Sequence, residues 1–326
     1  MKPSKPKILV ITPVRHIEGV VNSLEDVGFT TYMDDPFTEE VLKIIKDFDA
    51  IFTNPNKSKI FIGKEIIDMA KNLKVICTAS TGTNHIDKAY AYENDIKVLS
   101  LTEEREVISR ISSTAEHAFT LTMAGLRNLV PSHRSVMKGE WDYTRFIGRQ
   151  MNCLTVGVIG YGRLGSMYSQ YCLAFGSKVL IYDPYKSVND PKLEQVENLD
   201  LLLKQSDFIS LHVHVCDETQ GMINKNSLNK MKDDVLLVNT SRGEIINEQD
   251  LVNFLKINPN AKVATDVLSD EIKNRNSSPL LNFAQRSQQV IVTSHIGGMT
   301  SDAQQIAYNH SVLMLKDFLN IKNHEK

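Results

Sequence analysis

Residues 154–165 read LTVGVIGYGRLG. A short run rich in Val and Ile ends in three spaced glycines, Gly160, Gly162 and Gly165, and a helical stretch, residues 163–175, follows at once. Strand, tight turn and helix in that order are the context in which G-x-G-x-x-G binds a dinucleotide. Gly160 is expected to permit the turn, Gly162 to let the backbone approach a pyrophosphate, and Gly165 to let helix and strand pack closely. The N–H groups and positive dipole end of the helix then stabilise the anion. The next apolar run, KVLIYD, ends at Asp183, 18 residues beyond Gly165. A carboxylate there can accept bonds from the adenosine ribose hydroxyls and repels a 2′-phosphate, so the expected cofactor is NAD rather than NADP.

Outward from this loop, short Val- and Ile-rich runs alternate with amphipathic segments, the pattern of βαβ units and a parallel sheet. Six strands are expected in the second part of the chain, at 154–159, 178–182, 208–213, 235–239, 262–266 and 290–293. That is the inventory of a doubly wound dinucleotide-binding sheet. Four more are expected earlier, at 8–12, 50–53, 74–79 and 97–101, with a helix at 64–71. Between the two series, residues 112–129 read as an apolar helix, either core or partner-facing. Ser112 or Ser113 is its candidate cap and Glu116 the second half of a capping box. Residues 130–153 read as an irregular arm carrying the single tryptophan, Trp141. A last helix, 302–321, can cross back onto the first unit. The expected division is a discontinuous substrate domain, 1–107 with 302–326, around a larger dinucleotide-binding domain, 108–301.

Composition narrows the class of function. The 326 residues are 42% hydrophobic and 23% charged, with a formal charge of −2. A disordered chain, a fibre and a small disulfide scaffold are excluded. No basic excess exists to match a phosphate backbone, so no nucleic-acid partner is expected. No run approaches the roughly 18–20 apolar residues that span a bilayer, and the apolar run after MKPSKP is too short for a signal core. The four cysteines, Cys77, Cys153, Cys172 and Cys216, form no C-x-x-C pair, so no metal site is expected. A reducing, cytoplasmic setting with buried thiols is the expectation.

Three further segments carry chemistry. VNTSRGEIINEQDL places Arg242 just past a strand; ATDVLSDE places Asp266 at a strand end and Glu271 five residues on; VIVTSHIGG places His295 just past the last strand. In a doubly wound sheet the ligand crevice lies beyond the carboxyl ends of the strands, so all three converge on the edge that the glycine loop occupies.

With these pieces in order, the sequence resembles the D-isomer-specific 2-hydroxyacid dehydrogenases, and within them the phosphoglycerate dehydrogenase-like proteins. VGVIGYGRLG, YDP, NTSRGEIINE, DVLSDE and TSHIGG look like family signatures in family order. TGTNHID (81–87) resembles the family's substrate loop and TAEHAFTLTMAGLR (114–127) its interdomain helix. The resemblance implies two doubly wound domains, a Rossmann NAD-binding one and a smaller flavodoxin-like substrate domain, in a cytoplasmic homodimer joined through residues 112–150. It implies hydride transfer between C2 of a small-molecule 2-hydroxy acid and NAD. His295 would be the general acid–base, Glu271 the partner that fixes its tautomer, and Arg242 the grip on the substrate carboxylate, completed by N–H groups at Thr81 and Gly82. Arg163 and Leu164 would present N–H groups to the pyrophosphate. Asp266 would bind the nicotinamide carboxamide, and Val213, Thr240, Ser241 and Gly298 would line the cofactor cleft.

For His212 and His214, an H-x-H pair that on a strand puts both rings on one face, structural roles are expected over metal binding. Capping and packing are expected of Glu116 and His117, and arm or interface packing of Trp141. Against the family pattern, Ile272 and Ser294 stand where proline is usual. Thr78 and Tyr143 stand near places where phosphoglycerate-specific relatives offer arginines, with Lys57, Lys59 and Arg145 as candidate replacements. 3-Phosphoglycerate, hydroxypyruvate or glyoxylate, and a sugar-derived acid are therefore all open as substrates. The alternative is a dehydrogenase-like NAD(H)-sensing protein acting through protein partners.

Overall fold

The computed structural model describes residues 5–55, 60–271 and 274–324. The chain divides into two compact units, Met1–Ile111 with Met299–Lys326, and Ser112–Gly298.

The first unit is built on five parallel strands, β1 (Lys7–Val10), β2 (Phe29–Tyr32), β3 (Ala50–Thr53), β4 (Val75–Thr78) and β5 (Lys97–Leu99), in the order β2-β1-β3-β4-β5. This is the flavodoxin-like order. β3 and β4 are buried along their whole length, which is why they read as unbroken apolar runs rather than alternating ones. A core lies on each face of the sheet. One gathers Leu9, Ile11, Ile51, Ile66 and Ile76. The other gathers Ile8, Val10, Phe52 and Val75 under the terminal helix Ser301–His324, which contributes Ala307, Tyr308, Val312, Leu315 and Leu319. At about 1.5–3 kcal/mol for each large buried side chain, that helix is an integral layer of the first unit.

The second unit carries seven parallel strands. In chain order they are β6 (Thr155–Ile159), β7 (Lys178–Tyr182), β8 (Glu194–Gln195), β9 (Phe208–Leu211), β10 (Leu236–Asn239), β11 (Lys262–Thr265) and β12 (Val290–Val292). Their spatial order, β12-β11-β10-β9-β6-β7-β8, is the dinucleotide-binding order with one strand added at the β12 edge. The register aligns the last residues of the strands in one row: Tyr182, Ile159, Leu211, Asn239, Thr265 and Val292. Helix Ser113–Leu126 belongs to the core of this unit, with Ala118, Leu121 and Leu126 packed among Val156, Val158 and Leu236.

Several expectations need correction. β2 and β8 are strands that the apolar pattern does not reveal. Both lie at sheet edges; β2 alternates between exposed and half-buried positions and β8 is two exposed residues long, so neither forms an apolar run. Residues 130–153 are not wholly irregular: Leu129–Met137 is a helix, with short 3-10 turns at Thr144–Phe146 and Met151–Cys153. The helix expected to run to 71 is Lys64–Met69. No capping box forms at Ser113–Glu116: the Ser113 hydroxyl has no hydrogen-bond partner among the described residues. The Ser112 hydroxyl donates to the Glu116 carboxylate instead of accepting from the helix backbone. Cys77 and Cys172 are buried, but Cys153 and Cys216 are exposed.

Candidate active site

Each signature emerges one to three residues beyond the row of strand ends, so the register of the sheet sets the site. Beyond β6, Gly160 takes φ +92°, and a side chain there would meet the His212 carbonyl oxygen at 2.5 Å. At Gly165 a Cβ would lie 2.0 Å from the Gly160 carbonyl oxygen, so helix and strand touch there. Gly162 is different: nothing lies within 4 Å of where its Cβ would stand. It also precedes the helix Arg163–Ala174 with no side chain capping it. A turn closed by backbone on two sides and open at its middle glycine fits a pyrophosphate at the helix N-terminus.

Beyond β7, Asp183 accepts the Tyr161 N–H on Oδ2 at 2.8 Å and the Tyr185 N–H on Oδ1 at 2.9 Å. The acid thus ties the middle of the glycine turn to its own strand, with acceptor capacity left on each oxygen. Tyr185 in turn donates its hydroxyl to Glu218 in the segment after β9. Val213 stands against the glycine turn, its Cγ1 2.8 Å from the Cβ that Gly160 lacks. Thr240 is buried, and its hydroxyl has no hydrogen-bond partner among the described residues. The Ser241 hydroxyl is committed to the Leu211 carbonyl at 2.7 Å, tying β10 to β9.

His295 lies three residues beyond β12. Its Nδ1–H donates to Glu271 Oε1 at 2.5 Å, and Glu271 Oε2 accepts the Leu268 N–H at 3.2 Å. The imidazole tautomer is thereby set by its carboxylate partner. His295 has φ +55°, a left-handed conformation uncommon outside glycine. Three hydrogen bonds to Asp266 hold that turn. The His295 N–H donates to the Asp266 carbonyl at 2.9 Å, Ile296 N–H to Oδ1 at 2.9 Å and Gly297 N–H to Oδ2 at 2.7 Å. The Asp266 side chain is only 2% exposed. Burial by itself raises its pKa, but bonds from His117, Thr293 and the two N–H groups outweigh that and hold the carboxyl below the usual carboxylate range. Most of its acceptor capacity is therefore used by its own chain, with room for a further donor on Oδ2. Arg242, three residues beyond β10, is half-buried and donates to the Ser241 carbonyl at 2.6 Å. Asn239 Nδ2 donates to the Arg242 carbonyl at 2.8 Å and fixes its backbone.

Other expected residues fall elsewhere. Thr81 and Gly82 lie on the loop after β4 in the first unit, where their carbonyls accept from Thr102 and Ser80. Thr78, at the end of β4, shares a 2.9 Å hydroxyl–hydroxyl bond with Ser80. Arg145 is paired with Glu140 at 2.6 Å. Lys57, Lys59 and Ile272 lie outside the described residues. His212 and His214 do not share a strand face, because β9 ends at Leu211. The His212 ring lies 5.0 Å from the Tyr168 ring and is bonded to Ser210 at 2.9 Å. Burial pushes its pKa down to about 3, which keeps it neutral. His214 is exposed. Trp141 is 90% exposed, so it is not packed on the arm.

Two supporting residues escaped the sequence reading. His117 is not a packing residue: it lies 3.0 Å from Thr293 Oγ1 and 3.3 Å from Asp266 Oδ1. The buried Glu248 accepts the Ser269 N–H at 2.8 Å and the Ser278 hydroxyl, bracing the segment that carries Glu271. The i, i+3 spacing in TAEH and the acid of INEQ were visible, but nothing local says which distant loop each one meets.

A histidine–carboxylate pair and a dinucleotide turn on one row of strand ends define a nicotinamide-dependent dehydrogenase site. Comparison with known proteins agrees. Residues 119–297 match the family described as D-isomer specific 2-hydroxyacid dehydrogenase, NAD binding domain. A hydroxypyruvate reductase of Thermotoga maritima is 35% identical over 272 residues, 82% of this chain and 83% of that protein. A D-3-phosphoglycerate dehydrogenase of Methanocaldococcus jannaschii is 34% identical over 304 residues, 92% of this chain but only 55% of that protein. Among solved structures, D-lactate dehydrogenase from Aquifex aeolicus, complexed with NAD and lactic acid, matches with a TM-score of 0.81 at 29% identity, covering 96% of this chain and 95% of that one. The chain belongs to the D-isomer specific 2-hydroxyacid dehydrogenase family, and is an NAD-dependent oxidoreductase. Nothing among these relatives favours the sensing alternative.

Proposed function

We propose that the chain reduces a small, unphosphorylated 2-keto acid of the hydroxypyruvate or glyoxylate kind, and oxidises the corresponding D-2-hydroxy acid in reverse. The observation that carries this reading is the His295–Glu271 pair, set at the strand-end row that also bears the open glycine turn. Bound NAD supplies or accepts the hydride. Gly160, Gly162, Arg163, Leu164 and Gly165 hold its pyrophosphate, and Asp183 its adenosine ribose. Val213, Thr240, Ser241, Asp266 and Gly298 line the remainder. Arg242 grips the substrate carboxylate with a planar fork, which suits a carboxylate better than an ammonium does. His295 gives a proton to the carbonyl oxygen during reduction and takes it back during oxidation. Glu271 fixes the tautomer and stabilises the imidazolium.

The preference for an unphosphorylated acid rests on the loop after β4. Residues 78–84, TASTGTN, offer hydroxyls and amides and no cation, and Thr78 is bonded to Ser80 rather than presented as a charge. Arg145 is already paired with Glu140. The hydroxypyruvate reductase relative supports the same choice. The chain is further proposed to act as a homodimer in the cytoplasm. The exposed side chains of Leu129, Met137, Trp141, Tyr143 and Ile147 would meet a second copy.

The test follows NADH oxidation with hydroxypyruvate, glyoxylate, pyruvate and 3-phosphohydroxypyruvate. An unphosphorylated acid is expected to lead 3-phosphohydroxypyruvate by at least about tenfold in kcat/KM, or about 1.4 kcal/mol. The opposite ranking overturns the substrate assignment.

A further inference from the structure

The Asp266 carboxylate is approached from three sides. The turn after His295 supplies the Ile296 and Gly297 N–H groups. The end of β12 supplies the Thr293 hydroxyl, which donates to Oδ1 at 2.5 Å. The third side is closed by His117, on the helix Ser113–Leu126 and 176 residues before Thr293. The donor sense follows from counting protons. Thr293 has one hydroxyl hydrogen, and Asp266 receives it. At the 3.0 Å contact with His117 the Thr293 oxygen therefore accepts, and Nε2 of His117 carries the proton. That same N–H lies 3.3 Å from Asp266 Oδ1.

We propose that His117 is a positioning residue for the reaction: its Nε2–H, shared between Thr293 Oγ1 and Asp266 Oδ1, fixes the carboxylate that holds His295 in its left-handed turn. The terminal torsion of an aspartate is soft, and its rotamer is broad. Donors from one turn and one strand end leave that torsion to follow the turn. A donor from a separate helix anchors it to the core of the unit. The strained φ of His295 persists only where its surroundings over-determine it, and His117 is the member of that set furthest from it in sequence. A packing role alone would need the ring but not its proton. Gly297 shows how close the fit is: a Cβ there would stand 3.1 Å from Asp266 Oδ2 and 3.7 Å from the His117 ring.

The inference rests on His295 being the proton carrier, so its test has an arm that needs no turnover. His117→Phe keeps a ring of similar size and removes the donor. His117→Gln places an amide N–H at the position of Nε2. Hydrogen exchange at the Ile296 and Gly297 amides is expected to quicken by about tenfold or more in His117→Phe and to return to within about threefold of the parent in His117→Gln. With the preferred keto acid, kcat is expected to fall about tenfold in the Phe variant while KM for the keto acid stays within about twofold. The Gln variant is expected to recover most of kcat. Unchanged exchange in the Phe variant, equal loss in both variants, or an unaltered kcat overturns the inference. Failure of the parent protein to turn over any keto acid overturns the proposed function alone, because the exchange measurement still reads the turn.

Discussion

The two turns that make this site handle the same backbone problem in opposite ways. Beyond β6 the left-handed residue is Gly160, at φ +92°. It carries no side chain, and the chemistry there comes from the backbone and a helix end. Beyond β12 the left-handed residue is His295, at φ +55°. There the side chain is the proposed reagent, so glycine is not available, and the conformation has to be held from outside. A buried carboxylate does so, in contact with the end of β12 and the helix Ser113–Leu126. Where function needs only backbone, a glycine takes the left-handed conformation without strain. Where function needs a side chain in a strained conformation, the surrounding fold supplies the restraint.

The sharpest way to break this contrast is at position 295. His295→Ala is expected to lower kcat about 1,000-fold, within the usual span for loss of a general acid–base, with NADH affinity within about twofold. His295→Gly is expected to be equally inactive but more stable than His295→Ala by about 1 kcal/mol, because glycine adopts positive φ without the penalty. Kinetics with thermal melts read both. Equal stability of the two variants would show that the turn is not strained.

A smaller effect separates the two glycines. Gly160→Ala meets the His212 carbonyl and a left-handed backbone together, and is expected to cost about 2–3 kcal/mol in unfolding. Gly162→Val, with open space around it, is expected to leave the urea midpoint unchanged and weaken NADH binding about tenfold or more. Destabilisation of both variants alike would erase the distinction between closed and open sides of the turn.

The most gradual expected effects are in acid. His212, beneath the glycine turn, has its pKa pushed down to about 3, against about 6.5 when unfolded. As pH falls from about 6.5, the unfolded chain takes up a proton that the folded one refuses. Stability therefore drops by up to about 1.4 kcal/mol per pH unit until about pH 3. Asp266, beneath the histidine turn, has a depressed pKa. Its contribution is present above the unfolded value of about 3.9 and is lost as pH falls through the lower folded value. Urea midpoints between pH 7.5 and 5 are thus expected to flatten in His212→Leu and to keep their slope in Asp266→Asn. Identical slopes in the parent and His212→Leu would mean that the buried imidazole is not held neutral.

Legibility in the sequence follows the same division. The glycine turn, its acid and five apolar strands after it could be read because their signals are contiguous: apolar runs, spaced glycines, one carboxylate at a strand end. β2 escaped because FTTY lies on an edge, alternating between exposed and half-buried positions. β8 escaped because two exposed residues carry no pattern. The helix Leu129–Met137 escaped because VPSHRSV has neither an apolar stripe nor a cap, and its N-cap, Asn128, is itself left-handed. His295, Glu271 and Arg242 could be placed at or beyond strand ends, but their roles came only from the family resemblance, since an isolated histidine, acid or arginine past a strand has no local signature.

By itself, then, the order of residues along the chain settled the kind of sheet and the dinucleotide turn, because each depends on neighbours a few positions apart. Tertiary structure alone decided that His117 meets Thr293 and Asp266, that Glu248 braces the segment of Glu271, and that His295 sits in a left-handed turn. The reason is reach. A hydrogen bond between residues far apart in the chain is specified by the packing of whole helices and strands, and no short window of sequence contains that information.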